Sequence, residues 1–338
     1  MKIVEFIGPI SPPFNGPGVK NKIIRDELEN KSVLYELYSF NTLKKNFLFQ
    51  YFFHVFKNIS VERTVILSVS KKGRFILSPI ILFLTYFSLK RCLILIPAGG
   101  QFHVELRQIP NFLRHFYIKI IKSYTKIIVE TNSLKIGLQN LGVFSIQIPN
   151  PRKININCSK KKIIDEIKVY FISSIKKEKG ILDAIDAVEI LNAKGLNVKL
   201  VIHGRIMNGF ESEFSNKLNK SPNSIFKGGL SNEVVISTLN KKADFLLLPT
   251  YYPGEGLPGV LVESTIAEVP FLVTRIHGIE DYFTEDQSMT LINKQDPGNI
   301  AEKLQELIFN TEKYNKITSN QKLIKQQFSV SNYVNKIL

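Results

Sequence analysis

The feature that most constrains this chain is an alternation. Short apolar runs alternate with longer amphipathic stretches, and the pattern stops and restarts near the middle. In the first half the runs fall at Lys2–Gly8, Ser32–Phe40, Thr64–Val69, Cys92–Pro97, Lys126–Glu130 and Ser145–Pro149, which predicts six strands. Helical stretches lie between them at Val19–Asn30, about Leu43–Lys57, Arg74–Leu89, Asn111–Tyr124 and Ser133–Leu141. Continuous apolar strands that alternate with helices predict a parallel sheet covered on both faces. The stretch NPRKININCSKKK, 150–162, is polar, charged and led by Asn-Pro, and reads as a linker. The second half then offers strands at Lys168–Ser173, Asn197–Gly204, Ser224–Lys227, Ala243–Pro249, Pro270–Thr274 and Met289–Ile292. Its helices fit at Glu178–Lys194, Glu211–Asn219, Asn232–Lys241, Pro258–Glu268, Asn299–Asn310 and Glu312–Gln327. The expected fold class is α/β: two Rossmann-like doubly wound domains facing a cleft. Their expected spans are 1–150 and 163–320, with a C-terminal helix in 321–338 packing back on the first domain.

Composition narrows the classes. The 338 residues suffice for two cores. No apolar run reaches the length of a membrane span, and MKIVEFIGPISPPF reads as a first strand rather than a leader. Cys92 and Cys158 lie far apart, which suits a reducing cytoplasm and offers no metal-ligand spacing. A formal net charge of +16 leaves three readings: a solvated basic surface, an anionic membrane surface, or nucleic acid. No helix-turn-helix, zinc-finger or aromatic-basic RNA motif supports the last. Two stretches, Phe47–Phe56 and Phe75–Phe87, are apolar but too short to span a bilayer. They read first as buried helices and second as a surface lying in the membrane plane, since basic residues flank both.

The stretch with the most chemistry is PTYYPGEGLPGVLVEST, Pro249–Thr265. An apolar strand leads into a glycine-rich turn that carries Glu255. Proline suits the first position of a helix, so a helix is expected to begin near Pro258. Its free N–H groups and positive dipole end form an anion site at the carboxyl end of the strand. Glu263 lies about five residues into that helix, roughly 7 Å along the axis. Two carboxylates offset around a phosphate site can each accept from hydroxyls, one of a sugar and one of a ribose. Two ordinary helix-cap acids are the plainer alternative.

This stretch resembles the Glu-x7-Glu signature of the retaining nucleotide-sugar glycosyltransferases of the GT-B fold, specifically glycosyltransferase family 4. Other segments follow in the family's order. Gly8-Pro9 with Pro12 to Gly18 is similar to its first glycine-rich loop. Gly99-Gly100-Gln101-Phe102-His103 is similar to its mid-domain histidine segment. Ile148-Pro149-Asn150-Pro151 resembles the close of its first domain. Ser173-Ser174-Ile175 with Glu178-Lys179-Gly180 resembles its phosphate-binding start of the second, His203-Gly204 its glycine-bearing strand end, and TRIHGIED, 274–281, the turn after the signature helix. The resemblance covers nearly the whole chain and is specific in the C-terminal half.

The resemblance implies transfer of a sugar, with retention, from a nucleotide-diphosphate sugar to a glycan or lipid-linked acceptor in bacterial surface polysaccharide synthesis. It implies no cofactor and no metal, and no paired-acid motif of the Asp-x-Asp kind is present. The expected setting is cytoplasmic, with peripheral contact on the anionic inner face of the membrane and no nucleic-acid partner. Glu255 would contact the donor sugar, Glu263 the ribose, and Lys179 the diphosphate. Ser174, Gly204, Arg205, Gly256, Leu257, Pro258 and Gly259 would line the donor site. Gly16 and Gly18 fit close backbone approach to phosphate or an ordinary turn, and His103 a substrate contact or a structural helix cap. Three departures stand out. Ser174 replaces a common arginine, leaving Lys176, Lys177 or Arg205 to supply its charge. Glu268 stands where glycine is frequent. Asn15-Gly16-Pro17-Gly18 lacks two adjacent glycines. The rival readings are a GT-B-fold sugar-nucleotide epimerase, a phosphorylase, which is usually much longer, and a basic nucleic-acid-binding protein.

Overall fold

The computed structural model describes residues 2–11, 16–88, 90–154 and 166–338. The chain forms two compact units, one of Met1–Lys153 with Gln327–Leu338 and one of Ile154–Gln326. Most of the 150–162 stretch, and Pro12–Asn15 of the first loop, lie outside the described residues.

In the first unit six parallel strands appear among the described residues: β1 (Ile3–Gly8), β2 (Glu36–Asn41), β3 (Arg63–Val69), β4 (Arg91–Pro97), β5 (Lys126–Val129) and β6 (Ile146–Gln147). Their order is β2-β1-β3-β4-β5-β6, so the winding reverses between β1 and β3. The helices are α1 (Gly16–Asn30), α2 (Phe47–Lys57), α3 (Lys71–Leu84), α4 (Phe102–Gln108), α5 (Asn111–Lys122) and α6 (Asn132–Gln139). β1 and β3 are buried on both faces, which is why they read as largely apolar runs. One face of the sheet packs Tyr51 and Val55 of α2, Leu77 and Ile81 of α3, and Tyr117 and Ile121 of α5. The other packs Ile24 and Leu28 of α1 with Val330, Tyr333, Val334 and Ile337. Those last four belong to the C-terminal helix, Val330–Ile337, which returns the chain to this unit. Arg152 and Ser329 bridge in parallel where it arrives.

The second unit repeats the plan. Its strands β7 (Ile167–Ile172), β8 (Val198–His203), β9 (Ser224–Phe226), β10 (Phe245–Leu248), β11 (Phe271–Thr274) and β12 (Thr290–Ile292) run parallel in the order β12-β11-β10-β7-β8-β9. The reversal falls between β7 and β10. The helices are α7 (Ile181–Ala193), α8 (Glu211–Asn219), α9 (Asn232–Lys242), α10 (Gly259–Ile266), α11 (Pro297–Phe309) and α12 (Thr311–Ile324). Asp296 caps α11 by accepting from the Asn299 N–H at 2.9 Å, with Pro297 in the first turn.

The doubly wound α/β reading therefore holds, with differences that have local causes. The strand expected at Ser32–Phe40 begins at Glu36, because the chain turns through residues 31–34 first. The helix expected at Glu178–Lys194 is split: Gly180, at φ 73°, ends a short 3-10 turn, and α7 starts at Ile181. Helix α4 follows the Gly99-Gly100 turn and was not expected. The main correction concerns the two apolar stretches read as buried helices. α2 buries a single stripe, Phe47, Tyr51 and Val55, and exposes Phe49, Phe52, Phe53 and Phe56. The segment at α3 likewise buries Leu77 and Ile81 but leaves Phe83 and Phe87 exposed by 71% and 70%. Each helix lies on the sheet as an outer layer, so only one stripe finds a partner. No helix among the described residues is long and apolar enough to cross a membrane.

Candidate active site

In open α/β sheets the crevice for a ligand lies beyond the carboxyl ends of strands, where the winding reverses. In the second unit that point is the end of β7 beside the end of β10, and the chemistry-bearing residues gather there. The chain leaves β7 at Ile172 and runs through Ser173-Ser174-Ile175 to the 3-10 turn Lys177–Lys179. It is laced to the loop after β8 by bonds from the Ser173 N–H to the His203 carbonyl (3.1 Å) and from the Ile175 N–H to the Arg205 carbonyl (2.8 Å). Gly204 permits this closeness, since a Cβ there would meet the Ser173 carbonyl oxygen at 1.8 Å. Gly180 does the same toward β10: a Cβ would lie 2.1 Å from the Pro249 carbonyl oxygen. The Tyr251 N–H donates to the Glu178 carbonyl at 2.9 Å, and the Thr250 hydroxyl to the same oxygen at 3.2 Å. Lys179 and Glu255 are thereby brought together although 76 residues separate them.

The Lys179 ammonium donates to the Glu255 carboxylate, and their side chains are 11% and 13% exposed. The hydroxyl of Thr250, fully buried, lies 3.3 Å from the same carboxylate oxygen, so its one proton is shared between Glu255 and the Glu178 carbonyl. Tyr252 lies over the pair. The Lys176 Nζ sits 3.4 Å from its ring centroid and the Lys179 Nζ 5.1 Å, so two ammonium groups share one aromatic ring. Burial holds the Lys176 ammonium below the ordinary lysine range; Lys179 pushes the same way, while Glu178 and Glu255 oppose. Gly254 lets Tyr252 fold back, since a Cβ there would stand 2.9 Å from the tyrosine ring. Pro258 caps α10 and Leu257 is buried beside it, so the helix N-terminus follows Glu255 by three residues of turn. Glu263 lies inside α10 and is 5% exposed.

Of the three residues that could replace the charge missing at Ser174, Lys177 and Arg205 are exposed, and Lys176 alone stands over Tyr252. His203 is buried, its Nδ1 3.3 Å from the Gly228 carbonyl and its ring stacked on Tyr170. Burial depresses its pKa, opposed by the bond to Gly228. Thr250 and Tyr252 were not singled out from the sequence. Their signal was present: a hydroxyl and an aromatic placed directly after an apolar strand and ahead of the glycine turn.

The remaining sequence-predicted residues belong to the first unit. Gly16 opens α1, and among the described residues a side chain there would meet nothing within 4 Å. The tight position is Gly8, at the reversal between β1 and β3, where a Cβ would lie 2.4 Å from the Ser68 carbonyl oxygen. Gly18 is buried in the first turn of α1, and its carbonyl accepts from the Ser11 N–H at 3.3 Å. His103 lies in the first turn of α4 with its ring against Gly137 of α6, where a Cβ would come within 2.3 Å. Next to Gly18, Lys20 is buried and paired with Glu130 at 2.6 Å. Among the described residues no group of three or more His, Cys, Asp or Glu gathers as a metal site would need.

Two parallel doubly wound units, with ion-paired residues at the switch point of the second, define an α/β protein of Rossmann-like architecture. The chain belongs to the glycosyl transferases group 1, whose family model matches residues 155–323, half of its length. It is 27% identical over 150 residues to the capsular polysaccharide biosynthesis glycosyltransferase CapM of Staphylococcus aureus, covering 44% of this chain. It is 28% identical over 159 residues to an uncharacterized glycosyltransferase of Methanocaldococcus jannaschii, covering 47% of this chain. These alignments span 38% and 43% of the relatives' own lengths. Over whole chains the fold matches HepE of Anabaena, solved in complex with UDP-glucose. The TM-score is 0.74 at 14% identity, covering 99% of this chain and 98% of that one.

Proposed function

We propose that the protein transfers a sugar from a nucleotide-diphosphate donor to a glycan or lipid-linked acceptor, with retention of configuration. The observation that carries this is the Lys179–Glu255 pair under Tyr252, set between a strand end and the N-terminus of α10. Glu255 neutralises Lys179. A donor diphosphate would take over the ammonium and use the N-terminal N–H groups of α10. The carboxylate is then free to accept from sugar hydroxyls. The Glu263 carboxylate would accept from the ribose. Lys176 would supply the second cation, in place of the arginine that Ser174 lacks. In the reaction the bond from the anomeric carbon to the β-phosphate oxygen breaks, and a bond to the acceptor oxygen forms on the same face. The acceptor proton passes to the departing phosphate, whose growing charge Lys179 and Lys176 stabilise. The transfer uses no metal and no cofactor in this reading.

The name of one relative, the capsular polysaccharide biosynthesis glycosyltransferase CapM, favours a surface polysaccharide as the product, and the complex of HepE with UDP-glucose favours a nucleotide-sugar donor. The protein would work in the cytoplasm, in peripheral contact with the membrane that carries its acceptor. The test is thermal stabilisation by UDP, GDP, ADP and CMP and their sugars, because a ligand that binds only the folded state raises the Tm. One nucleoside diphosphate is expected to raise Tm in the wild type but not in Glu263→Ala. Absence of any shift would overturn the reading. Conversion of the nucleotide sugar without an acceptor would instead favour an epimerase.

A further inference from the structure

Most of the exposed aromatic residues of the first unit lie on or next to three of its helices. Helices α2, α3 and α5 cover the same face of its sheet, through Tyr51, Val55, Leu77, Ile81, Tyr117 and Ile121. Their unburied sides therefore look away from that face. On α2 this outer side carries phenylalanines, and Phe49 meets Phe53 edge-to-face at 4.6 Å while Phe52 lies 4.8 Å from Phe56. Phe83 and Phe87 extend the surface at and beyond the end of α3, and Phe112 and Phe116 on α5, at 73% and 64% exposure. Phenylalanine has no hydrogen-bonding group, so this area gains nothing from water.

Charge is concentrated in the same stretch. Residues 42–123 hold thirteen Lys and Arg against two acidic residues, a net of +11 out of +16 for the chain. Of the two acids, Glu105 is already engaged by the buried Arg74. The basic side chains at Lys44, Lys45, Lys57, Lys71, Lys72 and Lys122 are exposed. Aromatic side chains framed by lysines on the outer faces of helices are the signature of a surface that lies in a bilayer interface. The lysines would meet anionic headgroups while the rings enter the acyl boundary.

We propose that the outer face of α2, α3 and α5 docks on an anionic phospholipid surface. This rests on, and sharpens, the reading of a membrane-borne acceptor by naming the face that meets the lipid. The exposed lysines argue against a second copy of the chain, since two such basic faces would repel. The outward sides of helices are convex and do not form the basic groove that tracks a single-stranded nucleic acid.

The chain has no tryptophan, so one can be introduced as a sole reporter. Phe53→Trp places it on α2, and Phe309→Trp on an exposed position of the second unit. Vesicles of equal parts phosphatidylglycerol and phosphatidylcholine are added at low salt. The emission of Phe53→Trp is expected to shift to the blue and that of Phe309→Trp to stay unchanged. Vesicles of phosphatidylcholine alone, or high salt, should reduce the shift. Phe52→Ser with Phe56→Ser should weaken vesicle co-sedimentation by about tenfold or more, with the nucleotide-induced rise in Tm intact. The proposal is overturned if the position-53 reporter does not move with anionic vesicles, or if it moves equally with neutral ones. A shift given by dextran sulfate or single-stranded DNA without lipid would also overturn it. Vesicle binding and the nucleotide response are separate readouts, so loss of one leaves the other reading standing.

Discussion

Each unit carries a carboxylate–cation pair near the middle of its sheet, and the two pairs are built to opposite purposes. In the first unit Glu5, on β1, accepts from the Arg63 Nη1 at 2.9 Å and from the Tyr51 hydroxyl at 2.9 Å, with His54 Nε2 at 3.0 Å. Both charged side chains are fully buried, and Arg63 also donates to the Asn58 and Val55 carbonyls, the latter at 3.4 Å. The carboxylate is surrounded by protein donors, with no side open to a ligand. In the second unit, among the described residues, Glu255 holds only Lys179 and Thr250, from a turn beyond a strand end, with a second ammonium close by. The lesson is that a buried carboxylate filled by protein donors is a fixed part of the fold, whereas a carboxylate with spare acceptor capacity at a strand end is the one the proposed reaction would need.

The sharpest way to break that contrast is to remove one cation from each pair. Arg63→Met leaves Glu5 charged and buried without its main partner, which should cost about 3–5 kcal/mol. Urea unfolding followed by hydrogen exchange should show the loss confined to β1, β3 and α2. If stability changes by less than about 1 kcal/mol, the first pair is not the structural element described here. Lys179→Ala should do the reverse. Glu255 is 13% exposed where Glu5 is fully buried, so water can reach it in the variant and the stability loss should be smaller than for Arg63→Met, while sugar transfer should fall by about 100- to 1000-fold. A variant with normal turnover would remove Lys179 from the chemistry.

A smaller effect separates the two lysines that share Tyr252. Lys176→Met should weaken nucleoside diphosphate binding by about tenfold and leave nucleoside monophosphate binding nearly unchanged. The sign of the pH dependence follows from the depressed pKa. The ammonium is charged below its folded pKa and neutral above it, so diphosphate affinity should decline as pH rises, before ordinary lysines titrate. Lys176→Arg keeps its charge throughout and should abolish that decline. Isothermal titration across alkaline pH would decide it, and identical curves for wild type and Lys176→Arg would assign the missing charge elsewhere.

Much of this was legible in the chain. The alternation of Lys2–Gly8, Thr64–Val69 and Phe245–Leu248 with helical stretches gives the doubly wound plan, since strands buried on both faces have no polar phase to disguise them. The turn from Gly254 to Gly259 was legible because proline and glycine fix local backbone shape. Three things were not legible. Glu5 was hidden because a buried carboxylate is recognisable only by its partners, and Tyr51, His54 and Arg63 come from distant elements. Lys176 could not be chosen over Lys177 and Arg205, since what sets it apart is a ring contact 76 residues away in sequence. The exposed side of α2 was misread because phenylalanine all round a helix looks the same whether the outer stripe meets protein or not.

The subtlest departure, Glu268, is explained by backbone geometry, and that explanation can be tested in the second unit alone. Glu268 follows α10 at φ 56°, the left-handed position where a helix commonly ends on glycine. An L-residue there costs about 1 kcal/mol relative to its ordinary conformation. The glutamate offsets part of this by accepting from Lys325 at 2.7 Å, with side-chain exposures of 18% and 13%. Lys325 lies just past α12, so the pair ties the end of α10 to that helix's C-terminal turn. Glu268→Ala loses the ion pair and keeps the strain, so it should destabilise by roughly 1 kcal/mol. Glu268→Gly loses the pair but relieves the strain, at the expense of a more flexible unfolded chain. Its net change should therefore fall within about 0.5 kcal/mol of wild type and clearly above the alanine variant. Denaturant midpoints measured together for the three proteins give the order. If glycine and alanine prove equally destabilising, the left-handed backbone carries no cost here, and the ion pair alone accounts for a glutamate at this position.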